Sequence, residues 1–314
     1  MKALQTFFIK KTSILPKRYF NITKRLFLQK KYNKQHLEME NLSLYNTQHL
    51  MEDLSLYNPE GSELRKMQMK MLEMLDAFDG ICRKHNINYW LACGTLLGAR
   101  RHGGFIPWDD DLDVLILQSD YEKLVSVLQE DLPENLKLQT RETDKNYWYY
   151  YPKIRDANSR YYDKNTEIDN LHYQGIFIDI FPIEPVPSLQ FKRIVDKFIL
   201  SDNRFRKAKS LYEKVKYTIM ISFLPIMHFL VTLSRFYYKY IGSKKVYAYA
   251  FGVFFYATYN MKNLLPASEI MFEGKRYKAP GSVDEYLVEN FNANFMVIPE
   301  PAKRRTHALK IDFF

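Results

Sequence analysis

Four aspartates that run into an apolar segment constrain this chain more than any other feature. The segment comprises Asp109, Asp110, Asp111 and Asp113, followed by Val114-Leu115-Ile116-Leu117. Like charges at this density repel one another and are costly to hold together unless a cation neutralises them. Because side chains two residues apart share a face of a strand, Asp111 and Asp113 are predicted to project together, and Asp109 has the same parity. Asp110 is predicted to point away and to matter less.

This carboxylate pattern predicts a site for Mg²⁺ or Mn²⁺ with Asp109, Asp111 and Asp113 as ligands. These ions prefer oxygen ligands and bind substrate phosphates with few protein ligands. A calcium loop is excluded, because its sixth position requires glycine and Val114 stands there. A solvated acidic turn is the simpler alternative, but the apolar strand that follows disfavours it.

A glycine and a hydroxyl side chain precede the acidic cluster. Gly94 and Thr95 follow a buried strand predicted at 89–92, and we expect them to form a turn before a short helix at 96–101. Glycine lets the backbone approach a phosphate group, and Thr95 can donate a hydrogen bond to it. This pattern, followed by an acid-x-acid strand predicted at 111–117, is typical of the nucleotidyltransferase superfamily.

Apolar periodicity predicts further elements around this motif. A helix is expected from the capping residue Ser62 to about residue 85, and another from a capping box at 119–122 to about residue 129. Further strands are predicted at 136–140, 147–155 and 175–181. This order of elements predicts an α/β or α+β protein with a mixed sheet.

Two apolar stretches occupy the second half of the chain, at 218–233 and 246–259. Neither provides the roughly 20 consecutive apolar residues that a membrane span requires, and Pro225 and His228 interrupt the first. Buried or interfacial helices are therefore expected.

The excess positive charge is concentrated in the first 34 residues. The formal net charge is +10, and residues 1–34 contain ten Lys or Arg and no Asp or Glu. Interleaved apolar residues favour an amphipathic arm on an anionic membrane surface over a solvated basic tail, and no nucleic-acid partner is expected. A near repeat within 35–58 is interpreted as a duplication in a linker at 35–61.

The full central motif is similar to that of one known family. Residues 94–114, GTLLGARRHGGFIPWDDDLDV, closely resemble the central motif of the LicD family, which includes bacterial phosphocholine transferases and, as a distant relative, fukutin-related protein. Further similarity lies at 153–156, at 178–183 and in the C-terminal segment up to His307. The resemblance extends over about residues 62–310.

The resemblance implies an α+β fold with a nucleotidyltransferase-like mixed β-sheet core, flanking helices and a helical C-terminal part. The catalytic domain is expected at 62–314, with residues 190–262 as a helical, aromatic-rich insertion or lid. The implied activity is transfer of phosphocholine, or a similar phospho-alcohol, from CDP-choline or a related CDP-alcohol to a sugar hydroxyl. The acceptor would be a cell-surface glycan, such as lipopolysaccharide, or its lipid-linked precursor.

Within that activity, Asp111, Asp113 and Asp179 are the predicted catalytic residues. Asp111 and Asp113 would hold Mg²⁺ (or Mn²⁺) across the donor diphosphate, and Asp109 would assist. Asp179, between apolar residues of a later strand, would be a metal ligand or the general base toward the acceptor hydroxyl. An exposed strand aspartate is the alternative for Asp179.

Donor binding is predicted for Gly94, Thr95, Arg100, His102, Lys153 and Arg155. The cationic side chains would stabilise charge on the transferred group, with surface salt bridges as the alternative. His102 could contact phosphate or cap a turn. The aromatic run at 147–151 could cage choline, although core packing is the simpler interpretation.

Two other activities stay open. One is transfer of ribitol or glycerol phosphate by the same fold, and the other is a non-catalytic nucleotide- or glycan-binding module. Because Cys82 and Cys93 form no CxxC pair, reduced thiols in a cytoplasmic setting are expected. With the basic arm, this predicts a peripheral location at the inner face of a membrane.

Overall fold

The computed structural model describes residues 53–164, 170–242 and 245–314. The predicted basic arm at 1–34 and residues 35–52 of the linker lie outside the described residues, so those predictions stay predictions. Leu54–Phe314 form one compact unit, which begins a few residues before the predicted domain start at Ser62.

Helices and strands alternate through the first part of this unit. The helices are α1 Glu63–Lys84, α2 Cys93–His102, α3 Tyr121–Asp131, α4 Leu189–Ile199, α5 Ser201–Lys207, α6 Leu211–Ser222, α7 Leu224–Tyr240, α8 Met261–Leu264 and α9 Val283–Phe291. The strands are β1 Tyr89–Leu91, β2 Asp113–Leu117, β3 Leu136–Gln139, β4 Lys153–Asp156, β5 Ser159–Tyr162, β6 Phe177–Val186, β7 Val246–Tyr249, β8 Thr258–Tyr259, β9 Ser268–Phe272, β10 Lys275–Ala279 and β11 Lys310–Phe313.

The central sheet has the strand order β1-β2-β6-β4-β3, with β7 and β8 added beside the second half of β6. The β2–β6 pair is parallel, and the other pairs in this sheet are antiparallel. The predicted α+β class with a mixed sheet is therefore confirmed. Two smaller antiparallel pairs, β9–β10 and β5–β11, complete the described strands.

Helix α1 shows how local sequence determines this fold. The Ser62 hydroxyl accepts a hydrogen bond from Arg65 N and caps the helix, as predicted. Met67, Met71 and Phe78 recur on one face and are fully buried. Burial of each such side chain contributes about 1.5–3 kcal/mol, so this face is enough to hold the helix against the sheet.

The loop after α2 is held close to the helix by Gly98 and Glu273. A Cβ on Gly98 would lie 2.5 Å from Gly104 O, so only glycine allows this approach. Glu273, beside β10, accepts two hydrogen bonds from Arg65, at 3.0 and 2.8 Å, and a third from Phe105 N at 3.0 Å. The β9–β10 hairpin thereby connects α1 with the loop that leads to the acidic cluster.

Several predicted boundaries around the motif are wrong. Gly94 and Thr95 lie in the first turn of α2 and not in a turn before it. Strand β2 begins at Asp113 and not at residue 111, because pairing with β6 starts at Asp113. The predicted capping box at 119–122 does not form, since a 3₁₀ turn leads directly into α3 and no side chain caps that helix.

The aromatic-rich predictions also need correction. Of the strand predicted at 147–155, only residues 153–155 lie in a strand, β4, because the rings of the preceding run pack on one another in a loop. The helix predicted at 246–259 is wrong. That segment supplies β7 and β8, where Val, Tyr and Thr suit strand geometry and β6 offers a free edge.

Helices α4 to α7 occupy most of the part of 190–262 that precedes residue 241, and strands β7 and β8 follow it. The role of this segment as an insertion or lid stays a prediction. Among the described helices, none is by itself long and apolar enough to cross a membrane. Helices α6 and α7 together meet the length and composition of a span, but they are bent by 44° at their junction.

Candidate active site

Three charged side chains lie in one row across the central sheet. Asp113 on β2 is the register partner of Asp179 on β6, and Asp179 is the partner of Lys153 on β4. Paired positions on neighbouring strands project to the same face, so the three side chains are adjacent. Lys153 Nζ lies 2.5 Å from Asp179 Oδ1, and all three residues are buried. The structure therefore brings together three of the predicted site residues, which are distant in sequence.

Asp109 and Asp111 join this row from the loop before β2. Burial, and then repulsion from Asp111, Asp179 and Asp109, raises the pKa of Asp113 well above its usual value. Burial, and then Asp111 and Asp110, likewise raises the pKa of Asp109. The pKa of Asp111 is raised to about 6, mainly by burial and by Asp110 and Asp179. These mutual shifts show a cluster of like charges at close range.

Helix α2 positions two of these carboxylates. Thr95 Oγ1 accepts a hydrogen bond from Asp113 N at 2.9 Å, in a buried position at the start of β2. A Cβ on Gly94 would lie only 2.6 Å from Asp109 Oδ2, so the glycine makes room for that carboxylate. Both predicted residues thus lie at the site, next to the acids. Their predicted contact with donor phosphate stays a prediction.

The carboxylates supply oxygen atoms, the kind of ligand that Mg²⁺ and Mn²⁺ prefer. Among the described residues, no three acidic, histidine or cysteine side chains are arranged to hold a metal ion by themselves. Mg²⁺, however, is commonly held by one or two carboxylates and completes its shell with water and substrate phosphates. The crowded, mutually repelling oxygens of Asp111 and Asp113 fit that mode. The three-ligand set that includes Asp109 stays a prediction.

Lys153 and Arg155 differ in how far they are engaged by the protein. Arg155 donates to Gln139 Oε1 at 2.8 Å and to Gly175 O at 2.7 Å, so it supports the sheet from a buried position. Lys153 Nζ lies 3.7 Å from the centroid of the Phe177 ring, and burial lowers its pKa against the opposing effect of Asp179. Lys153 is therefore the better placed of the two to act on a substrate phosphate.

Arg100 and His102 do not match the predicted phosphate contacts. Arg100 is 42% exposed and pairs with Asp284, its Nε 2.7 Å from Oδ1, which is the surface salt bridge considered above. His102 Nε2 accepts a hydrogen bond from Arg101 Nε at 2.9 Å. Burial and the neighbouring Arg101 lower the pKa of His102 to about 4, so its ring is neutral at physiological pH. Neither residue brings positive charge to the carboxylates.

Arg101 is a site residue that the sequence reasoning missed. It is half-buried, donates to the carbonyls of Phe295 and Val297, and lies close enough to Asp109 for that carboxylate to raise its pKa. Burial is the larger effect and lowers its pKa to about 10. The helical phase of α2 separates Arg100, which faces solvent, from Arg101, and this phase was the available signal.

Asp110 is fully buried and holds the C-terminal segment at the site. Its Oδ2 accepts hydrogen bonds from His307 N at 2.8 Å, Ala308 N at 2.5 Å and Tyr161 Oη at 3.1 Å. Strand parity did not predict these contacts, because it does not apply to the loop before β2, and whether Asp110 matters less for the reaction stays a prediction. His307 is largely exposed and lies near enough to Asp111 to lower that carboxyl's pKa, so it adds an imidazole to the site.

The aromatic run at 147–151 borders a cavity, and two of its rings lie near Lys153: Nζ is 5.4 Å from the centroid of the Tyr149 ring and 5.7 Å from that of Tyr151. Tyr147 and Tyr151 are buried, as core packing predicts, while Tyr149 is half-buried and stacks on Trp148 at 3.9 Å. The cavity has a volume of about 320 Å³ and is lined by Tyr149, Tyr151 and residues of α7. Its aromatic wall keeps the choline-cage interpretation open.

Comparison with known proteins finds a family match over the part of the chain that contains the site. Residues 86–218 match the family described as LicD/FKTN/FKRP, nucleotidyltransferase domain. The resemblance to the LicD family is confirmed. The LicD match includes every carboxylate of the row and its loop, as well as Lys153, and it ends within α6.

Curated relatives of this chain have two kinds of name. Lipopolysaccharide cholinephosphotransferase LicD of Haemophilus influenzae is 34% identical over 127 residues, which is 40% of this chain and 46% of that protein. Ribitol 5-phosphate transferase FKRP of Homo sapiens is 49% identical over 41 residues, 13% of this chain and 8% of that protein. An uncharacterised protein of Rickettsia prowazekii is 36% identical over 87 residues, 27% of this chain and 33% of that protein. The chain thus spans less than half the length of these relatives.

Proposed function

We propose that this protein is a Mg²⁺- or Mn²⁺-dependent phosphotransferase. It moves phosphocholine, or a similar phospho-alcohol, from a CDP-linked donor to a sugar hydroxyl of a cell-surface glycan or its lipid-linked precursor. The observation that carries the proposal is the row of Asp113, Asp179 and Lys153, with Asp109 and Asp111 beside it. The names of the Haemophilus and human relatives support the reaction class.

In this proposal each charged residue has a separate task. Asp111 and Asp113 would hold the divalent ion, which when bound neutralises charge on the donor diphosphate. Lys153 offers its ammonium to the transferred phosphate. The acceptor oxygen forms a bond to that phosphorus, the bond from phosphorus to CMP breaks, and the acceptor proton passes to Asp179 as general base. His307 can orient the acceptor or the leaving phosphate beside Asp111.

The donor alcohol is the finer part of the proposal. Phosphocholine is favoured by the half-buried Tyr149 ring at the 320 Å³ cavity, since quaternary ammonium groups bind over aromatic faces. Ribitol phosphate is the alternative, supported by the name of the human relative. CDP-choline, CDP-ribitol and CDP-glycerol should therefore be compared as donors with the same protein preparation.

The test is metal-dependent release of CMP from these donors by the full chain. Asp113→Asn and Asp179→Asn should each lower the rate at least about 100-fold, because electrostatic and acid–base contributions of this size are typical of such groups. Asp131→Asn is the matched control, since Asp131 forms a surface ion pair with Lys84 at 2.8 Å. Normal turnover by Asp113→Asn would refute the assignment. Donor binding without CMP release would instead favour the non-catalytic binding module.

We further propose that the protein works in the cytoplasm, at the inner face of a membrane. The support is the sequence of the arm at 1–34, with ten basic residues and no acidic ones. Deletion of residues 1–34 should weaken co-sedimentation with anionic vesicles. Unchanged co-sedimentation would show that the arm does not bind the protein to the membrane.

A further inference from the structure

An exposed apolar stripe runs along helices α6 and α7. It consists of Val215, Ile219, Ile226, Phe229, Leu233 and Phe236, which recur three, four or seven residues apart. Each of these side chains is between 51% and 66% exposed. Residues at such spacings share one face of a helix, so the stripe is continuous along each helix.

Helices of soluble domains normally bury such a face against the core. Helix α6, by contrast, has no buried residue among those described, and α7 buries only Val231 and Ser234. Contiguous exposed apolar surface of this kind marks a site of interaction with a protein or a membrane. The stripe is therefore a candidate surface for binding a protein or a membrane.

The basic residues around the stripe indicate which kind of partner binds it. Residues 211–240 contain a single acidic residue, Glu213, and its carboxylate is used in a capping box with Ser210. The segment that leads into α6 carries Arg204, Arg206, Lys207 and Lys209. The two helices add Lys214, Lys216 and Lys239, and also Arg235, which pairs with Glu184. A second copy of the chain would bring the same positive charges together across the interface, whereas an anionic lipid surface attracts them.

The aromatic residues flanking the stripe suit a lipid–water boundary. Lys216 Nζ lies 5.4 Å from the centroid of the Tyr217 ring, and Lys239 Nζ lies 5.3 Å from that of Tyr240. Amphipathic rings and snorkelling lysines are enriched at that boundary. The 44° bend between α6 and α7 favours helices that lie in the interface over one straight span.

We propose that α6 and α7 form a membrane-docking surface, with the apolar stripe inserted at the headgroup level of an anionic bilayer. This surface consists of other residues than the basic arm predicted at 1–34. Helix α7 also lines the 320 Å³ cavity through His228 and Arg235. Docking therefore places that cavity within about one helix diameter, roughly 10 Å, of the lipid surface.

The first test is co-sedimentation of the full chain with phosphatidylcholine vesicles that contain 30% phosphatidylglycerol or none. The double variant Phe229→Glu/Leu233→Glu should bind the anionic vesicles at least about tenfold more weakly, because two half-exposed apolar side chains lose their burial in lipid. The matched control is Val288→Glu on α9, a helical apolar residue that is 43% exposed and lies outside the stripe. It should bind like the unmodified chain.

A second measurement separates the stripe from the arm. A polarity-sensitive dye is attached at Leu233→Cys or at Val288→Cys, and vesicles contain doxyl-labelled lipid as a quencher. Quenching at position 233 and not at position 288 supports the proposal. Bound protein without quenching at position 233 would overturn it and leave the arm as the anchor. So would sedimentation velocity without lipid that shows a dimer in the unmodified chain and a monomer in the double variant.

Discussion

Replacing Gly94 by alanine tests whether the position of the Asp109 carboxylate controls the site. The new Cβ would lie 2.6 Å from Asp109 Oδ2, whereas ordinary van der Waals contact begins at 3.4 Å. The carboxylate oxygen must therefore move by at least about 0.8 Å. The contact is with the end of a side chain and not with backbone, so Asp109 can move without unfolding the protein.

The expected loss of activity is large, while the expected change in stability is small and favourable. A misplacement of about 1 Å in a catalytic constellation can cost about 100-fold in rate. Alanine in place of glycine inside a helix stabilises by about 0.5–1 kcal/mol. For a domain of this size, that corresponds to a rise of about 1–4 °C in Tm.

The assay is metal-dependent CMP release from CDP-choline, with a thermal melt on the same preparation. Gly80→Ala is the matched control, because Gly80 lies in helix α1 and a Cβ there meets nothing within 4 Å. It should gain similar stability and keep full activity. If Gly94→Ala were as active as Gly80→Ala, the position of Asp109 would have no part in the reaction. If Gly94→Ala unfolded, the local geometry inferred here would be wrong.

Two further predictions concern stability and are checked by urea unfolding. Glu273→Gln should lose about 1–2 kcal/mol, because it weakens the charge-assisted bonds to Arg65. Burial raises the pKa of Glu273, but the bonds to Arg65 outweigh it and hold the pKa below its usual 4.5. The difference in the free energy of unfolding between the variant and the unmodified chain should therefore shrink as the pH falls below about 4.5. A difference that does not change with pH would contradict this. Lys192→Met should lose about 3–5 kcal/mol, because it leaves the fully buried Asp196 carboxylate without its ion-pair partner. The double variant Lys192→Met/Asp196→Leu should recover much of that stability. If it did not, the loss in the single variant would come from packing and not from charge.

Elements encoded by short-range pattern were predictable. Helix α1 follows from the Ser62 cap and a helical apolar repeat, and both signals are local. Strand β7 could not be found in this way. Its segment is apolar enough for a helix, and it becomes a strand because β6, about 60 residues earlier in the chain, offers an edge to pair with. Pairing with a distant strand therefore determined the secondary structure of a segment whose local propensity was ambiguous.

The site residues also differ in whether a local sequence pattern could reveal them. Asp111 and Asp113 were predictable, because a short stretch of sequence contains the whole signal: several carboxylates directly before an apolar strand. The contact of Asp110 with His307 joins residues 197 apart, and no local pattern indicates it. The choice between Arg100 and Arg101 depended on the phase of α2 relative to the core, which the start of that helix determines.

The carboxylates and Lys153 are best understood as one electrostatic unit. Burial, and then repulsion between the neighbouring carboxylates, disfavours the charged forms and raises the pKa of Asp109, Asp111 and Asp113, so the fold maintains this cluster at a cost. Lys153 offsets part of that cost, since it lowers the pKa of Asp111 and Asp113 and pairs directly with Asp179. A cation held by Asp111 and Asp113 would offset the remainder, while Lys153 is paired with Asp179. The divalent ion and the ammonium would then neutralise different carboxylates of one cluster, which is why the proposed mechanism needs both.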